Sequence, residues 1–116
     1  MPSPDEFRAA ALALPEVEER SHMDHPDFRA GNRIFATLSE DETQGVLKLT
    51  LDEQAALLAS APDVYGTPGG WGRHGWTTVQ LAVADIDEVR ELLEDAWRQV
   101  APKRVVKQFD TDHGPE

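Results

Sequence analysis

The chain has no cysteine, which excludes disulfides, a thiolate metal site and a cysteine nucleophile and agrees with a reducing, cytoplasmic setting. It also lacks any long hydrophobic run. Charge interrupts every apolar stretch, and the first twenty residues include Asp5, Glu6, Glu16, Glu18 and Glu19, so neither a signal peptide nor a membrane contact is expected. Basic residues are few: 11 Lys and Arg stand against 22 Asp and Glu, a formal net charge of −11. Such a field repels polyanions at long range, and a nucleic-acid contact would need a local basic patch. Aromatic residues make up only 7% of the chain, which makes their placement informative.

Two of the three tryptophans and five of the eight glycines fall in one stretch, Gly66-Thr-Pro-Gly-Gly-Trp-Gly-Arg-His-Gly-Trp76. Glycine permits positive φ and close backbone approach, whereas Trp, Arg and His supply stacking surface and charge-assisted hydrogen bonds. The stretch reads as a recognition loop centred on Trp71, or as a long turn whose rings cover a sheet, with Trp76 opening a strand. Gly70-Trp-Gly-Arg-His-Gly75 matches G-x-G-x-x-G, but a dinucleotide site needs a strand before it and a helix after it. Here a strand follows, so no nucleotide cofactor is expected.

With 116 residues the chain is one domain with a single modest core. Ser3-Pro-Asp-Glu6, Thr50-Leu-Asp-Glu53 and Asp85-Ile-Asp-Glu88 each set a capping side chain three residues before a Glu, the signature of a helix start. The first helix runs to about Leu14, with Phe7, Ala10, Ala11 and Leu14 inward. The second covers Leu51 to Ser60, with Leu51, Ala55 and Leu58 inward. The third reaches Val100, with Ile86, Val89, Leu92, Leu93, Ala96 and Val100 as its apolar stripe. Strands are expected near 19–24, 27–30, 33–39, 45–50, 64–65 and 76–83. In the third of these, Ile34, Ala36 and Leu38 alternate against Phe35 and Thr37, and Val79, Leu81 and Val83 align in the last. Gly31-Asn32 is a hairpin turn pair. Helices and hairpin-linked strands in this order predict an α+β two-layer domain with a largely antiparallel sheet. Residues 1–107 form that domain, and 108–116 are expected to be a disordered tail.

His22-Met-Asp-His25 is the best metal-like cluster, since His22 and Asp24 share a strand face and His74 would complete a set. The competing reading is a solvated strand face, and no metal site is assigned. A hydrolytic reading would use the same histidines as base, but no Ser or Thr sits in an activating context. Arg29, Arg33, Lys48 and Arg73 lie on strands or their connections. Beside Trp71, His74 and Trp76 they could form one cationic and aromatic face for a base or an anion; for each residue singly, the competing reading is ordinary cross-strand pairing.

The order of these pieces resembles the MmcQ/YjbR family. The matching segments are Leu12-Ala-Leu-Pro-Glu16, Ser21-His22, Phe28-Arg29, Gly31-Asn-Arg-Ile-Phe-Ala-Thr-Leu38, Leu47-Lys-Leu49, Arg73-His-Gly-Trp-Thr-Thr-Val79 and the closing amphipathic helix, spanning about residues 4–104. The resemblance implies an α-β(3)-α-β(2)-α fold, similar to type III secretion chaperones and loosely to the frataxin-like CyaY. It also implies DNA binding without an agreed enzymatic activity, with His22, Phe28, Arg29, Lys48, Arg73, His74 and Trp76 at the recurrent positions. The chain departs from the pattern in its acidity and in Gly69-Gly-Trp-Gly before Arg73. The expectation is a non-enzymatic domain with no cofactor, binding DNA through Arg29, Arg33, Lys48, Trp71, Arg73, His74 and Trp76. One alternative is a protein-partner or chaperone-like module. Another is a small metal-dependent or hydrolytic enzyme using His22, Asp24 and His74.

Overall fold

The computed structural model describes residues 3–22 and 25–113, apart from the side chains of His22, Trp71 and His113. Helix α1 (Pro4–Leu12) opens on a complete capping box between Ser3 and Glu6. Four strands follow, β1 (Val17–His22), β2 (His25–Ala30), β3 (Arg33–Leu38) and β4 (Gln44–Lys48). Next come α2 (Leu51–Ser60), β5 (Tyr65–Gly66), a 3₁₀ segment over Gly69–His74, and β6 (Trp76–Gln80). Helices α3 (Ile86–Val100) and α4 (Lys103–His113) close the chain. The strands form one antiparallel sheet in the order β1-β2-β3-β4-β6-β5. The α+β antiparallel expectation is observed, with the four strands ahead of α2 that the residue pattern predicts, one more than the resemblance implies, and one helix more at the end.

One sheet face carries the core. Phe28, Ala36, Leu38, Leu47, Leu49 and Val79 are buried there with Phe7 and Ala11 of α1 and Val89, Leu93, Ala96 and Trp97 of α3. Gly45 belongs to this face because the Phe7 ring occupies the space of a side chain: a Cβ would lie 2.4 Å from a ring carbon. The β2–β3 hairpin turns on Gly31 and Asn32, both at positive φ (60° and 66°), as a two-residue turn matched to strand twist demands.

Several local readings change. Phe35 is buried with Ala36 instead of alternating away from it. The register slips here, so that Phe28-Arg29 opposes Ala36 through Ile34; a bulge leaves one residue unpaired and lets neighbouring side chains share a face. Helix α2 is rotated in part from its expected face: Leu58 packs against the core as expected, beside Leu57, but Leu51 is 56% exposed and Ala55 is exposed, whereas Gln54 is buried. The last strand stops at Gln80, and Leu81–Val83 forms a 3₁₀ turn that leaves Val83 59% exposed. Residues 108–113, expected to be a disordered tail, continue α4 instead. Val105 is buried and Phe109 meets the Trp97 ring edge-on at 5.0 Å, which gives the segment an apolar reason to dock. Among the described residues, no helix is long and apolar enough to cross a membrane.

Candidate functional site

Among the described residues, no helix covers the second sheet face. By register, Glu18 and Arg20 of β1, Asp27 and Arg29 of β2, Thr37 of β3, Val46 and Lys48 of β4, and Trp76 and Thr78 of β6 point that way. Apart from Asp27, these residues are half-buried or exposed.

Antiparallel pairing brings the start of β3, the end of β4 and the start of β6 to one end of the sheet. Arg33 flanks the hairpin turn opposite Ala30, Lys48 faces Trp76 across β4 and β6, and Gly69–His74 leads into Trp76. Lys48 Nζ sits 5.5 Å from the centroid of the Trp76 ring and donates to the His74 carbonyl at 3.4 Å. Arg33, Arg73 and His74 are exposed. Five of the seven sequence-predicted residues, Arg33, Lys48, Arg73, His74 and Trp76, are therefore neighbours or share this end. Trp71 lies in the same segment, its side chain outside the described residues.

The cations fall into two groups. Arg8, Arg29, Arg90, Arg98 and Arg104 are all ion-paired within the chain, whereas among the described residues Arg33, Lys48 and Arg73 make no ion pair. Among the described residues Arg20, Lys103 and Lys107, away from this end or on α4, also make no ion pair. Arg29 is the member of the predicted set that the fold has committed. Its guanidinium grips Asp27 at 2.8 and 3.0 Å, and Asp27 is fully buried. That hydrogen bond holds the Arg29 pKa above its ordinary value. Acidic side chains gather at the opposite end of the sheet, where Glu40, Asp41 and Glu42 form the β3–β4 turn and Asp85, Asp87 and Glu88 open α3. There Ser39 and then Thr43 donate to Asp41 and lower its pKa. Asp52 and Glu53, opening α2, and Glu16 and Glu18, at the start of β1, lie at the basic end.

The glycine-rich segment is held by residues that sequence reasoning missed. Gln54 Nε2 donates to the Gly72 and Trp76 carbonyls, both at 2.9 Å, and lies 3.3 Å from Thr77 Oγ1. Thr77 Oγ1, fully buried, donates to the Gly75 carbonyl at 3.1 Å. Gly75 has φ +95°, and a Cβ there would meet the Leu49 carbonyl oxygen at 2.0 Å, so only glycine lets the loop cross the end of β4. Gln99 Nε2 fixes the Lys48 carbonyl from α3 at 2.9 Å. The one sequence signal was Gln54 itself, an uncharged amide in an Ala- and Leu-rich helix.

Of the alternative metal set, Asp24 and the His22 side chain lie outside the described residues, and among the described residues no group of three His, Cys, Asp or Glu could hold a metal. The G-x-G-x-x-G match leads into β6, not a helix. Tyr65, buried against α3, donates to Glu88; burial and then that carboxylate push its pKa well up, which marks it as a structural tie.

The fold and this helix-free face define a small two-layer α+β domain of the YjbR type. The family model described as YjbR matches residues 12–99, and the chain belongs to that family. Among solved structures, the Deinococcus radiodurans protein DR2400, with family-model domain DUF419, superposes with a TM-score of 0.78 at 21% identity, covering 100% of this chain and 91% of that one. That similarity speaks to the fold. Among curated sequences, Uncharacterized protein Rv2570 of Mycobacterium tuberculosis and Uncharacterized protein Mb2600 of Mycobacterium bovis are each 34% identical over 59 residues, 51% of this chain and 46% of each relative. The chain spans about half the length of the curated relatives it matches.

Proposed function

We propose that this chain is a non-enzymatic binding domain that takes single-stranded DNA on the end of the sheet built from Arg33, Lys48, Arg73, His74 and Trp76. The observation that carries the reading is the contrast among cations. Five arginines are spent on internal carboxylates, while among the described residues six cations make no ion pair, and three of them, Arg33, Lys48 and Arg73, gather with an indole at the end of the sheet away from the acidic turn. Phosphates meet cations there, and a base has an aromatic surface to stack on. A single strand fits better than a duplex, because the patch is small and the remaining surface repels a second strand. Arg29 supports the face by filling Asp27 and is not expected to contact phosphate. A cysteine-free chain of this kind fits a cytoplasmic site of action.

Fluorescence anisotropy of a labelled oligonucleotide, titrated at several salt concentrations, tests the reading. Three phosphate contacts on a single strand predict a slope of log K against log salt of about −2, falling by about 0.7 in Lys48→Ala or Arg73→Ala. Absence of binding at low salt, or binding indifferent to both substitutions, would remove the assignment. One further observation favours a second reading, capture of a protein partner: Leu51 is 56% exposed at the start of α2, on the same end of the sheet. In that case Leu51→Glu would abolish capture, and oligonucleotides would not compete.

A further inference from the structure

The sheet ends on β1, and among the described residues this strand pairs with β2 alone, from Val17 opposite Ala30 to His22 opposite His25. Its other edge presents outward backbone N–H and C=O groups, a template for a further strand. The register with β2 runs without a bulge, since the slip in the sheet lies one strand further in, and no proline interrupts the strand. Charge is the protection left to this edge, and it is of both signs. Glu18 and Arg20 stand exposed on the helix-free face, and neither makes an ion pair among the described residues. Glu19 points to the helix side, where Arg8 Nε donates to its two carboxylate oxygens at 3.0 and 3.1 Å.

We propose that the free edge of β1 takes a second copy of this chain, paired antiparallel about Glu19 so that two six-stranded sheets continue into one. Directly opposed residues of an antiparallel pair exchange both backbone hydrogen bonds or neither, so around a twofold axis the central residue faces its own copy. The candidates for that centre are Glu18, Glu19 and Arg20. Centred on Arg20, two guanidinium groups oppose each other. Centred on Glu18, two carboxylates do, and Arg20 falls opposite Glu16, which precedes the strand at φ 58° and is held by Arg104. Centred on Glu19, Glu18 of each copy faces Arg20 of the other. Within one copy Glu18 faces Arg29 and Arg20 faces Asp27. The row from Arg29 to Glu18, then to Arg20 and Asp27 of the second copy, therefore alternates in sign across four strands, and opposite charges directly across a sheet attract. The like pair at the centre, Glu19 with its own copy, lies on the helix side, where each carboxylate is already taken up by Arg8. An edge contact of this length buries less than the ~1,200 Å² of a stable complex, and each copy carries a net charge of −11, so the association is weak and reversible. It is independent of what the other end of the sheet binds.

Sedimentation velocity of the full chain over a wide range of concentrations tests the pairing. Wild type should move toward twice the chain mass as concentration rises. Arg20→Glu should remain monomeric, and the double variant Glu18→Arg/Arg20→Glu, which restores the alternation with its signs exchanged, should associate again. Circular dichroism checks that each variant is folded. Cross-linking reads the register without any charge reversal, because the chain has no cysteine of its own. Facing Cα atoms of an antiparallel pair lie about 4.5–5.5 Å apart, within reach of a disulfide, so Glu19→Cys should give a covalent dimer on mild oxidation. Ser21→Cys should not, because its own copy lies four residues along the strand, about 13 Å away. A wild type that stays monomeric at every concentration, a dimer indifferent to Arg20→Glu, or cross-linking as efficient at 21 as at 19 overturns the proposal.

Discussion

Replacing Gln54 with alanine isolates the contact that holds the glycine-rich loop. The side chain is 8% exposed and its Nε2 supplies the Gly72 and Trp76 carbonyls at 2.9 Å each. Its removal takes the side-chain donor from the Trp76 carbonyl, while the Gly72 carbonyl keeps the Gly75 N–H at 3.0 Å. At about 1 kcal/mol for each lost hydrogen bond, the loss is about 2 kcal/mol, a large share of a small domain's total of about 5–15 kcal/mol. Urea unfolding reads this directly: with m of about 1–3 kcal/mol/M, the midpoint should fall by about 0.7–2 M at unchanged m. Gln54→Glu separates hydrogen bonding from packing. It keeps the shape but turns an oxygen toward two carbonyls, so it should match the alanine variant at neutral pH and recover as the carboxyl protonates. A loss below about 1 kcal/mol for Gln54→Ala would mean that water replaces the amide and that the loop does not depend on α2.

Gly45→Ala should cost about 2–3 kcal/mol by driving a Cβ into the Phe7 ring, and Phe7→Leu should restore part of it in the double variant; two additive losses in thermal unfolding would refute the clash. Phe109→Ala strips the edge-on partner from Trp97 and should lower stability by about 1–2 kcal/mol while red-shifting tryptophan emission; an unchanged spectrum would mean that α4 does not dock. Asp95 has a folded pKa raised to about 6 from 3.8, so its stabilising contribution is complete below about pH 4 and is lost as pH rises through 6. Asp95→Asn should therefore raise stability at pH 7.5 by about 1 kcal/mol, discounted for partial exposure, and change little at pH 4; equal effects at both pH values would contradict the sign.

The three helix starts were legible because each carries its own capping chemistry within four residues, and the β2–β3 turn because Gly31-Asn32 demands positive φ. Phe35 was misplaced because a bulge depends on what the partner strand does, which no alternation pattern reports. The face of α2 was partly misread for a related reason: Leu51, Ala55 and Leu58 look like a stripe, and Leu58 does pack on the core, but Leu51 and Ala55 stay exposed while the loop's carbonyls recruit Gln54 inward. Residues 108–116 looked like a tail because they are polar and carry no apolar periodicity; the contact of Phe109 with Trp97 and the burial of Val105 explain the helix over Lys103–His113. For the candidate site, the sequence named the cations and the indole, but their sharing of one sheet end follows from strand order. That Arg29 is occupied follows from Asp27, two residues away on the same face.

The most direct test of the proposed binding face is a two-dimensional amide NMR titration of the labelled protein with a short single-stranded oligonucleotide. The account predicts shifts gathered on Arg33, Lys48, residues 69–75 and the Trp76 indole, with the acidic Glu40–Glu42 turn silent. Shifts spread evenly over the surface, or centred on α4 and its lysines, would contradict it.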